Sequence, residues 1–62
     1  MDFNHAVTVA KELARDSKKI VVVMLHGESH EVVCEGSYDH IFKHHGLPKV
    51  ATVTPGGRVV QE

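Results

Sequence analysis

The stretch Lys19-Ile20-Val21-Val22-Val23-Met24-Leu25 decides the reading of this chain. It is the longest unbroken apolar run, it is dominated by β-branched residues, and His26-Gly27 closes it. Such a run predicts a strand buried on both faces, at the centre of a small sheet. Successive side chains alternate across a strand, so Ile20, Val22 and Met24 belong to one side and Val21, Val23 and Leu25 to the other.

Upstream of the run, residues 2–17 carry a helical stripe of Phe3, Ala6, Val7, Ala10, Leu13 and Ala14. Asp2 or Asn4 can cap its start. Lys11, Glu12, Arg15 and Asp16 fall on the other side. No glycine stops the helix, and Lys18 and Lys19 place positive charge after its last turn, where the helix dipole favours it.

Downstream, His26-Gly27-Glu28-Ser29-His30 is a polar turn, and Glu31-Val32-Val33-Cys34-Glu35 predicts a second strand, antiparallel to the first. Gly36-Ser37 breaks it. Ser37 is a candidate N-cap for a short second helix in which Tyr38, Ile41, Phe42 and His45 share a face. Gly46 suits the position after that helix, with Pro48 just beyond. Val50 to Val53 make a third strand, Thr54-Pro55-Gly56-Gly57 a turn, and Arg58 to Gln61 a fourth strand. The expected fold class is α+β: a single small domain over residues 1–62, in the order α-β-β-α-β-β, with a four-stranded, mainly antiparallel sheet and two helices.

Sixty-two residues leave a thin margin of stability, because a chain this short buries only roughly 60% of its unfolded surface. The one cysteine, Cys34, allows no intrachain disulfide and suits a reducing cytoplasm. No basic, apolar leader opens the sequence, and the valine run is too short to span a bilayer, so no membrane partner is expected. The formal net charge of −1 argues against a general binder of phosphate backbones.

Candidate chemistry is sparse. Among the six histidines, His26 and His30, and His40 and His44 with His45 beside them, have spacings that zinc ligands use. No paired-cysteine or His-Glu-x-x-His motif supports them, so the reading of a small histidine-based metal module is the lesser one and no cofactor is expected. Cys34 beside a histidine suggests a nucleophile, yet a lone cysteine in a strand is more often a small buried hydrophobe. Glu28, Glu31, Glu35 and Asp39 have no fixed separation, and Gly56-Gly57 precedes no helix. A nucleic-acid surface would draw on Lys43, His44, His45, Lys49 and Arg58 with Tyr38 and Phe42 as stacking groups, although both aromatics also lie on the apolar stripe.

The segment Gly36-Ser37-Tyr38-Asp39-His40-Ile41-Phe42-Lys43-His44, followed by Val50 to Pro55, resembles the HicA family of small RNA-cleaving toxins. Those chains carry glycine-serine-histidine, then an aromatic and a basic residue, then a strand ending near proline and glycine. The resemblance covers under half the chain and implies RNA binding and mRNA cleavage. Tyr38 stands where the family has its catalytic histidine, and His40 is the nearest substitute. The family also implies a strand where residues 37–45 predict a helix, a closing helix beyond the last strand, and a basic surface.

The reading that these residues favour is a non-catalytic interaction module: a protein-binding adaptor or inhibitor, of the size and composition common among phage and prophage accessory proteins. If both helices pack on one face, the other face of the sheet is bare and calls for a homodimer or a dedicated protein partner. An exposed edge strand is the second expected contact surface. The candidate contact residues are Tyr38, Phe42 and Lys43 on the second helix and Arg58 on the last strand.

Overall fold

The computed structural model describes every residue from Met1 to Glu62. Asp2 starts the first helix, α1 (Phe3–Ser17): its backbone is extended and its carboxylate accepts the His5 N–H at 2.7 Å. That bond satisfies one of the donors a helix leaves free at its start. The helix ends on Lys18, whose φ of 58° lies in the left-handed region. Ala6, Ala10 and Ala14 are its fully buried face. With only methyl groups between them, helix backbone and sheet lie close together. Leu13, at the margin of the apolar stripe, stays 36% exposed.

Strands β1 (Val21–His26) and β2 (Ser29–Cys34) form an antiparallel hairpin in which His26 faces Ser29. The two-residue loop between them has Gly27 in its first position at φ 67°, as a tight hairpin of this kind requires. The strand begins two residues earlier than the sequence pattern suggests, because hairpin pairing extends to the edge of the loop. Cys34 leads directly into α2 (Glu35–His40), and the Glu35 N–H donates to the Ile20 carbonyl at 3.0 Å. That bond anchors the helix entry to the start of β1, so Ser37 lies inside the helix and does not cap it. The second helix is also discontinuous. Ile41 leaves helical geometry (φ −121°, ψ −66°), and a 3₁₀ turn, η1 (Phe42–His45), follows. Gly46 ends it at φ 76°: its N–H donates to the Lys43 carbonyl at 3.2 Å, and the next N–H, of Leu47, donates to the Phe42 carbonyl at 3.3 Å.

Strands β3 (Lys49–Val53) and β4 (Val59–Gln61) complete an all-antiparallel sheet in the order β2-β1-β3-β4. Their turn has Pro55 and Gly56 at its centre, closed by the Gly57 N–H on the Thr54 carbonyl at 2.9 Å, and Gly57 takes φ 90°. Proline pre-sets the first turn, and the last glycine takes the left-handed position of a three-residue hairpin.

Both sides of the valine strand are covered by the chain itself. On one face, α1 sets its alanines against Val21, Val23, Ala51 and Val53, with Phe3, Val32 and Val59 around them. On the other, Tyr38 packs on Val22 and Met24, with Val33, Phe42 and Leu47 around them. Val21, Val22 and Val23 are fully buried and Met24 is 2% exposed. The helices therefore lie on opposite faces, and the bare central face expected for helices sharing one side is not formed. The physical reason is the tie at Glu35, which sends α2 back along the side of β1 that α1 leaves free.

Candidate functional site

The four candidate contact residues do not form one surface. Tyr38 is only 6% exposed, and its hydroxyl donates to the Leu47 carbonyl at 2.7 Å. The Lys49 ammonium stands 5.4 Å from its ring centre, within cation–π range. Tyr38 thus joins α2 to the segment entering β3, and its ring is committed to the core. Phe42 is half-buried against the same cluster. Lys43 is exposed on η1, which leads toward the Lys49 end of β3. Arg58 is exposed near the other end: it precedes β4, and its carbonyl accepts the Thr54 N–H at 3.0 Å. The aromatic-and-basic cluster that would stack a nucleic acid is therefore divided, with its aromatic part turned inward.

Within the segment that resembles the HicA family, Gly36 to His40 are helical; the helix predicted over 37–45 is broken at Ile41 and continues as the 3₁₀ turn η1. His40 is exposed on the last turn of α2. The other histidines lie on α1 (His5), β1 (His26), β2 (His30) and η1, which holds both His44 and His45. Nowhere do three or more histidine, cysteine, aspartate or glutamate side chains gather as a metal set would require, and no cavity opens in the surface. His30 packs edge-on to Phe3, ring centres 5.5 Å apart, and its Nδ1 is buried without a hydrogen-bond partner. Cys34 is half-buried and free. Arg15 and Asp16 make the one salt bridge, which is solvent-exposed.

What remains open is the two edges of the sheet, and they differ. Along β2, the peptide groups of His30, Val32 and Cys34 turn outward, since Ser29, Glu31 and Val33 pair with β1. Met1 occupies one end of that row: its carbonyl accepts the His30 N–H at 2.8 Å and its ammonium donates to Ser29 Oγ at 2.7 Å. At the other end the chain turns into α2. Met1 thus closes the His30 end of the β2 edge, while the outward peptide groups of Val32 keep no partner within the chain.

The edge of β4 has no such cover. Thr52 faces Val60, the Thr54 N–H donates to the Arg58 carbonyl, and the Glu62 N–H donates to the Val50 carbonyl at 2.9 Å. Residues 58, 60 and 62 therefore turn their peptide groups toward β3. By the alternation of an antiparallel ladder, Val59 and Gln61 turn theirs outward. The Val60 side chain is 46% exposed, on the sheet face that α2 covers only over β1 and β2. This edge was nearly invisible in the sequence, where Arg58 to Gln61 gives a strand but not its place in the sheet.

The structure defines a small α+β domain: a four-stranded antiparallel sheet with one helix on each face and its last strand unpaired on the outer side. No known protein family, curated protein or solved structure matches the chain. No helix is long and apolar enough to cross a membrane.

Proposed function

We propose that this domain is a non-catalytic interaction module, an adaptor or inhibitor, that binds a protein by joining the outer edge of β4 to a partner strand. The observation that carries this reading is the pair of outward peptide groups at Val59 and Gln61, beside the exposed Val60. A free edge offers main-chain hydrogen bonds to any extended segment, and flanking side chains choose among segments. The single free cysteine supports a reducing compartment, such as the cytoplasm, as the setting of this module.

Gln61→Pro tests the reading. Gln61 donates outward, so proline removes an edge donor without removing a bond to β3, and edge strands tolerate proline. The substitution should change stability by no more than about 0.5 kcal/mol, as for other surface positions. Binding partners captured by the wild-type domain should be lost with Gln61→Pro, and their footprint in hydrogen exchange should fall on Val59 and Gln61. A partner bound equally by both forms, with its footprint on the helices, overturns the reading.

A further inference from the structure

We propose that the strand received by the β4 edge belongs to a second copy of this chain, paired antiparallel in one register: Val59 opposite Gln61, Val60 opposite Val60, and Arg58 opposite Glu62. This deepens the edge-binding reading and rests on it.

The register follows from the ladder. Only Val59 and Gln61 present outward peptide groups. An antiparallel pair exchanges both bonds between residues that face each other, so Val59 of each copy must face an outward residue of its neighbour. Pairing Val59 with Gln61 engages both outward residues of both strands. It places a two-fold axis through Val60.

The side chains then complement one another. Val60 faces its own copy in a non-hydrogen-bonded position, where side chains approach most closely. A residue 46% exposed in the monomer thereby meets an identical apolar surface. Arg58 and Glu62 stand two residues either side of Val60, and the two-fold sets each opposite the other's charge, twice. Both are exposed, and neither has an ion-pair partner within its own chain. The segment 58–62 is thus self-complementary when reversed. A two-fold perpendicular to the sheet keeps each face on its own side, so two four-stranded sheets join into one continuous sheet. Neither helix obstructs it: α1 packs over β1, β2 and β3, and α2 over β1 and β2. The strand is short, which places the contact among weak, reversible interfaces.

Sedimentation velocity over a concentration series reaching the millimolar range tests the proposal on the intact chain. Wild type should show concentration-dependent dimerisation. Arg58→Glu alone, or Glu62→Arg alone, sets like charges together at both symmetric positions and should weaken association by about tenfold or more. An equimolar mixture of these two single variants restores opposite charges at both positions and should dimerise again, as should the double charge swap. Loss of folding cannot produce rescue by mixing, and circular dichroism of each variant checks this directly. Wild type that remains monomeric throughout, or single variants that associate as wild type does, overturns the second-copy proposal. If Gln61→Pro still abolishes capture of another protein in that case, the edge reading stands with a different occupant. If Gln61→Pro has no effect either, both fall.

Discussion

At the residue scale, Lys18 shows how local preference yields to tertiary demand. It takes a left-handed conformation at the end of α1, and it is the one non-glycine residue with positive φ. A side chain there costs roughly 1–2 kcal/mol relative to the right-handed region. The site is exposed, so nothing packs against the side chain to offset that cost. Lys18→Gly should therefore stabilise the domain by about 1 kcal/mol, seen as a higher urea midpoint with unchanged slope. The absence of a stop glycine was readable from the sequence, but the strained lysine was not. Only the distance from α1 to β1 shows that the chain must turn sharply at this residue. Tyr38 was legible as an apolar-stripe residue, yet its hydroxyl bond to Leu47 depends on a segment nine residues away folding back.

At the element scale, the valine run and the helical stripe are written plainly in the residues, because burial on a strand or helix imposes a period that polarity reveals. Where the helices sit is written less plainly. Two apolar faces on β1 require two covers, but periodicity does not state which helix takes which face. The bond from Glu35 to Ile20 settles it, and that bond joins backbones, which carry no residue code. The second helix shows the same limit: Tyr38 and Phe42 share a cluster as their spacing predicts, while Ile41, on the same predicted stripe, breaks the helix and is 50% exposed. For α1, close approach makes the alanines unforgiving. Ala10→Leu must force the helix from the sheet and should cost about 1–3 kcal/mol. Lys11→Ala, one residue along on the exposed side, should change stability within about 0.5 kcal/mol in the same denaturant titration.

At the scale of the whole molecule, the core is two small clusters separated by one sheet, and the largest fully buried side chains are valines. Each cluster alone is too small to hold the chain. Both use β1, so neither should persist without the other. Helical circular dichroism, dominated by α1, and the near-ultraviolet signal of Tyr38, the single tyrosine, should lose their native values at the same denaturant concentration. Separated midpoints would mean that the two faces melt independently. The candidate site was least legible at this scale. Sequence marks residues as exposed or apolar, but an edge is a property of strand order, and β4 becomes an edge only because β3 inserts between it and β1.

The pairing of β1 with β3 slips by one place between Val23 and Met24: Val23 faces Ala51, yet Met24 faces Lys49, leaving Val50 as the extra residue. This hiccup turns Lys49 onto the side of Met24, where its ammonium reaches the phenol ring. Regular pairing that kept Val50 would set Val50 opposite Met24 and turn Lys49 to the α1 side of the sheet, stranding a cation beside alanines. Deleting Val50 would instead leave Lys49 opposite Met24, so a homologue with a one-residue gap here should keep its lysine.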